Sequence, residues 1–256
     1  LRKEYLKVLL LVSLIFIGLY CEKQNSRDDV ISRASEEYLS KIDGTKPGEL
    51  DSLLISGIAS YGDGRKALAV RYFERAYELG DVRGAVKLYE LYNTEKDEEK
   101  IKEWEVKAAE MGAATVQNNL ATRLTKEERD EEAEKWYIAA IAGGDKYAKT
   151  NLGILYEKQG RLIEAEKVYE KAIIENNNKA MNNLANLYSD KMQCTKAENL
   201  YLQAIDNGNK NAMYNLGNLY ETCLKDREKS LYWYKKARDS GIKEAKSKLK
   251  ELKNVQ

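Results

Sequence analysis

Residues 145–178 read DKYAKTNLGILYEKQGRLIEAEKVYEKAIIENNN. Ala148, Leu152, Gly153, Leu155 and Tyr156 recur at three- and four-residue steps. So do Ala165, Val168, Tyr169 and Ala172. Each set makes one apolar stripe on a helix. Gln159-Gly160-Arg161 lies between them, and Gly160 suits the left-handed residue that ends a helix. Small residues (Gly153, Ala165, Ala172) alternate with large ones (Leu152, Tyr156, Tyr169), which predicts two closely packed helices with rings filling the gaps.

The stretch is copied along the chain. Leu152 has counterparts at Leu88, Leu120, Leu184 and Leu216, and Tyr156 at Tyr92, Leu124, Tyr188 and Tyr220. Ala172 is matched by Ala76, Ala108, Ala140 and Ala204, and by Ala237 after one extra residue. Gly80, Gly112, Gly144, Gly208 and Gly241 close the second helices, with Asn176 in the remaining copy, and Asn is the next-best left-handed cap. Asp81, Asp145, Asn177 and Asn209 follow, each placed to N-cap the next helix. A period of 32 residues held in several columns predicts a helical solenoid. The fold class expected is all-α, with about six helix-turn-helix repeats and a C-terminal capping helix, Lys243 to Lys253, whose inward stripe is Ala245, Leu249 and Leu252.

Asn151-Leu152-Gly153 with Tyr156, Gly160, Ala165, Tyr169 and Ala172 resembles the tetratricopeptide repeat. The endings Trp136-Tyr137…Ala140…Gly144-Asp145 and Trp233-Tyr234…Ala237…Gly241 resemble the Sel1-like subgroup of that superfamily. The resemblance covers about residues 51–241. It implies a right-handed α-solenoid that binds a protein or peptide on its concave side, without naming the partner. Some relatives hold a peptide's terminal carboxylate in a basic clamp. Thr150 and Asn211 stand at clamp positions here, so that specificity is not carried over.

Arg2, Lys3 and Lys7 precede an apolar run, Val8 to Tyr20, that ends at Cys21. This is a secretory-signal pattern. At about 1.5 Å per residue the run spans roughly 20 Å, short of a bilayer core near 30 Å. The cysteine resembles the lipid-receiving residue of bacterial lipoproteins, although Tyr20 stands where such signals have a small residue. Lipidation at Cys21, an uncleaved N-terminal anchor and ordinary secretion remain open. Each puts the protein outside the cytoplasm or on a membrane of the cell envelope. Residues 1–21 are thus read as signal, 22–50 as a tether or capping helix, and 51–256 as the repeat domain.

The whole sequence has 43 basic and 42 acidic residues. Such a balance gives no general drive towards nucleic acid. There is no histidine, which removes the commonest general base and zinc ligand. No phosphate-cradling glycine loop or glycine-flanked serine occurs. The expectation is a non-enzymatic binding scaffold without cofactor or metal, with a homo-oligomer open. The alternative is an assembly subunit of an envelope complex that uses convex or end surfaces. Cys194 and Cys223 fall near inter-helix loops of neighbouring copies. A bridge is conceivable in an exported protein, but two unpaired, packed thiols is the favoured reading.

In this architecture the first helix of each pair faces the groove. The expected ligand-binding residues are Tyr147, Thr150, Lys179, Asn182, Asn186, Tyr214 and Asn218, with Ile154 and Glu157 on the same face. Primary amides offer donors and acceptors to the backbone of an extended peptide. Asn119, Asn151, Asn183 and Asn215 precede the buried leucines and are expected to bond between helices.

Overall fold

The computed structural model describes residues 24–254, the side chains from 30 to 252. The signal pattern and Cys21 lie outside the described residues. These residues form fourteen helices and no strand. The chain divides into two compact units, the first ending at Ala108 and the second starting at Ala109.

The first unit holds α1 (Gln24–Lys41), α2 (Glu49–Gly62), α3 (Lys66–Glu78), α4 (Val82–Glu95) and most of α5 (Glu98–Glu110). Helix α1 lies against α3. Leu39 and Ile42 are buried, Tyr38 meets Tyr72 edge-on at 6.4 Å, and the Arg75 guanidinium donates to the Ile42 carbonyl at 2.6 Å. Trp104 of α5 stands edge-on to Tyr77 at 5.1 Å.

The second unit is α6 (Ala114–Lys126), α7 (Asp130–Ala142), α8 (Ala148–Lys158), α9 (Leu162–Ile174), α10 (Asn178–Asp190), α11 (Cys194–Asp206), α12 (Asn211–Thr222), α13 (Arg227–Asp239) and α14 (Lys243–Asn254). Each helix packs on its neighbour in the chain. Leu120, Leu152, Leu184 and Leu216 are buried, as are Ala140, Ala172, Ala204 and Ala237. Ala245 and Leu249 seat α14 on α13.

The backbone keeps the same beat. Left-handed residues close the second helices at Gly80, Gly112, Gly144, Asn176, Gly208 and Gly241. A second left-handed series, Gly64, Lys96, Glu128, Gly160, Met192 and Lys225, turns the chain inside each hairpin. Asp81, Asp145, Asn177 and Asn209 accept backbone N–H groups at the following helix starts, as their side chains predict.

Size exchange between paired helices fixes their approach. A methyl group at Gly153 would collide with the Tyr169 ring, and one at Gly217 would stand 2.7 Å from the Tyr234 ring. Both tyrosines are fully buried. The second hairpin inverts the pair, with Tyr89 at the glycine position and buried Glu105 at the ring position.

Neighbouring hairpins of the second unit are pinned by a repeated tyrosine–glutamate bond. Tyr156 donates to Glu134 and Tyr188 to Glu166, each at 2.8 Å, and Tyr220 donates to Glu198. Arg161 lies on Glu134 at 2.6 Å and Lys191 on Glu166 at 2.9 Å, and these cations hold both carboxyls below the usual range. Burial, then the facing carboxylate, pushes Tyr156 and Tyr188 up to about 12.

Cys194 and Cys223 are joined in a disulfide, with Cα atoms 6.0 Å apart. This corrects the expectation of two unpaired thiols. Cys194 opens α11 and Cys223 caps α12, so the bridge ties the fifth hairpin to the sixth. The sixth hairpin carries its extra residue in this loop, where the left-handed step falls at Lys225, 33 residues after Met192.

Candidate functional site

The first helices α8, α10 and α12 present equivalent residues to one side, and an open groove of about 630 Å³ lies over their N-terminal halves. Its walls include Thr150 and Ile154 of α8, Lys179, Asn182 and Asn183 of α10, and Lys210 before α12. Asn151, Asn178, Gly208, Asn209 and Asn211 complete the rim. Asn178 at the start of α10 and the loop residues Asn209 and Lys210 were not among the sequence-derived site residues. Only their 32-residue offsets could have pointed to them.

Three of the expected residues, Thr150, Lys179 and Asn182, line this groove. Tyr147 stands beside it, 44% exposed, with the Lys179 ammonium 5.5 Å from its ring centre. The others are engaged elsewhere. Asn186 accepts the Tyr201 hydroxyl at 2.6 Å and the Asn215 amide at 3.1 Å. Asn218 accepts the Tyr234 hydroxyl at 2.5 Å, and Tyr214 packs on the Tyr234 ring at 5.5 Å. These three hold hairpins together. The amides before the leucines behave as expected at two positions, with Asn151 donating to Asn118 at 2.9 Å and Asn215 to Asn182 at 3.0 Å.

The groove mixes chemistries. Ile154 is 48% exposed where other hairpins place Thr122, Asn186 or Asn218. Asn178 and Asn183 supply amides, while Lys179 and Lys210 have no carboxylate partner among the described residues. The Thr150 hydroxyl is buried without a hydrogen-bond partner. Such an atom is uncommon in a finished core. No group of three or more metal-ligating side chains occurs among the described residues, and none of their helices is long and apolar enough to cross a membrane.

Stacked helix hairpins with left-handed hinges define the class of repeat scaffolds. The Sel1 repeat family matches residues 60–81, 178–209 and 210–242, and a tetratricopeptide repeat family matches 113–143 and 147–174. The chain belongs to the tetratricopeptide and Sel1-like repeat superfamily. The two descriptions fall on different hairpins, and residues 82–112 match neither.

A Sel1 repeat protein from Oxalobacter formigenes has the same fold, with TM-score 0.58, 22% identity, and 84% of this chain and 97% of that one covered. Pseudomonas aeruginosa PilF gives TM-score 0.58 at 17% identity over 87% of this chain and all of that one. YrrB, described as a tetratricopeptide protein with an unusual peptide-binding site, gives 0.51 at 21% identity over 67% and 93%. At these identities the likeness is one of fold. No curated protein matches the sequence.

Proposed function

We propose that this protein is a non-enzymatic scaffold whose second unit binds an extended peptide segment of a partner protein in the groove over α8, α10 and α12. Repeats of this superfamily generally mediate protein interactions. The observation that carries the reading is the groove itself, where amides, two unpaired lysines, an exposed isoleucine and an unpartnered threonine hydroxyl converge. Amides serve a peptide backbone, and the isoleucine and Tyr147 serve its side chains.

The protein works outside the cytoplasm in this reading, held to a membrane through Cys21. The basic start, the apolar run and the Cys194–Cys223 bridge support it, because disulfides persist in oxidising compartments. Intact-mass measurement of the mature protein tests the anchor: a chain starting at Cys21 with added acyl mass supports it, and an unmodified Cys21 rejects it.

The groove is tested with peptides selected from a random display library on the immobilised full chain. Lys179→Glu with Lys210→Glu changes two exposed side chains and should abolish capture of most of them. Undiminished capture places the binding face elsewhere.

A further inference from the structure

Three buried polar atoms of the fourth hairpin, α8 with α9, lack hydrogen-bond partners: Thr150 Oγ1, Glu157 Oε1 and Tyr169 Oη. Tyr169 is fully buried and Thr150 is 3% exposed. In three hairpins the equivalent tyrosine hydroxyl is satisfied. Tyr137 pairs with Thr122 at 3.1 Å, Tyr201 with Asn186 and Tyr234 with Asn218. The fourth hairpin has Ile154 at that partner position, so Tyr169 is left facing Glu157 and Asn183 without a well-formed bond.

The sixth hairpin contains the completed version of this arrangement. Glu221 occupies the position of Glu157, two periods on, and accepts the Tyr234 hydroxyl at 2.7 Å. The Lys248 ammonium of α14 then lies on the same carboxylate at 3.1 Å. The residue that corresponds to Lys248 beside the fourth hairpin is Asn183, whose amide carries no charge and lines the groove. Burial pushes the Glu157 carboxyl up, opposed by the Tyr169 hydroxyl and aided by the nearby Asp190 carboxylate, and no cation draws it back. Neither Glu157 nor Asp190 has an ion-pair partner among the described residues.

We propose that Glu157, with the Tyr169 hydroxyl behind it, is a subsite for one lysine or arginine side chain of the bound peptide, filling the place that Lys248 fills in the sixth hairpin. Ile154 lies one helical turn before Glu157, exposed and within the groove. It covers the aliphatic stem of such a side chain while the head reaches the carboxylate. The assignment rests on the groove reading above and adds the charge of the ligand to it.

The same display library separates the two claims. Selection on the full chain is expected to enrich lysine or arginine at one fixed position of the captured peptides, and selection on Glu157→Gln to lose that enrichment. A selected peptide should bind Glu157→Gln about tenfold more weakly, the fold-change of one charge-assisted hydrogen bond. Asn183→Lys installs an internal cation; it should remove the basic preference and raise the thermal midpoint. Peptides that need Lys179 and Lys210 but show no basic position, or keep one on Glu157→Gln, overturn the subsite and leave the groove intact. Peptides indifferent to the Lys179 and Lys210 changes overturn both.

Discussion

The fourth and sixth hairpins carry the same buried tyrosine, the same facing glycine and the same glutamate, next to last in its helix. They differ in what stands opposite. In the sixth, Asn218, Glu221 and Lys248 satisfy Tyr234 and one another. In the fourth, Ile154 and Asn183 leave Tyr169 facing Glu157 without a well-formed bond, and Glu157 without a cation. The packing is shared, so the difference lies in polar groups only. One template thus gives a hairpin with its polar groups satisfied and a hairpin with a carboxylate left without a cation, by changing two side chains.

Truncating either ring should give the largest effect and the same one. Tyr169→Ala and Tyr234→Ala should each cost roughly 3–5 kcal/mol in chemical denaturation, since both remove a fully buried ring. Unequal losses would mean that the two hairpins differ in packing after all. Next comes the bridge beside them. Cys194→Ser with Cys223→Ser opens a loop of 29 residues and should cost about 3.5 kcal/mol, with wild type falling to the same stability under reductant.

Removing only the hydroxyls separates the hairpins. Tyr234→Phe breaks bonds to Asn218 and Glu221 and should cost roughly 1–2 kcal/mol, whereas Tyr169→Phe removes a hydroxyl that faces Glu157 and Asn183 without a well-formed bond and should cost less than about 0.5 kcal/mol. A clearly larger loss for Tyr234→Phe than for Tyr169→Phe in paired thermal melts is the expected result.

The smallest effect is in pH dependence. Glu157 has its pKa raised by burial, so its charged form destabilises the fold as pH rises through the carboxylate range. Glu157→Gln should therefore stabilise the chain at pH 7 by less than about 1 kcal/mol and do nothing at pH 3. Glu134 and Glu166 are lowered by Arg161 and Lys191. Their contribution is present above the ordinary carboxylate pKa and fades as pH falls through the lowered values. Carboxyl NMR titration should place Glu157 above both.

The repeat period, the caps and the helix pairing were legible because glycines, alanines and leucines recur in columns that only one geometry needs. The hinge series was half hidden. Lys96, Glu128, Met192 and Lys225 adopt the left-handed conformation without being glycine, so no residue type announces them. The disulfide was hidden because its cysteines sit at non-equivalent repeat positions, one opening a helix and one ending a helix. Helix periodicity puts Asn186 and Asn218 on the right face, but only the tertiary contact shows tyrosine hydroxyls already occupying them.

The most direct test is a double-mutant cycle between Glu157→Gln and a lysine-to-norleucine change in a peptide selected on the full chain. The account predicts a coupling of at least about 1 kcal/mol, with no coupling when Glu221→Gln replaces Glu157→Gln. Additive losses at Glu157, or equal coupling at Glu221, would contradict it.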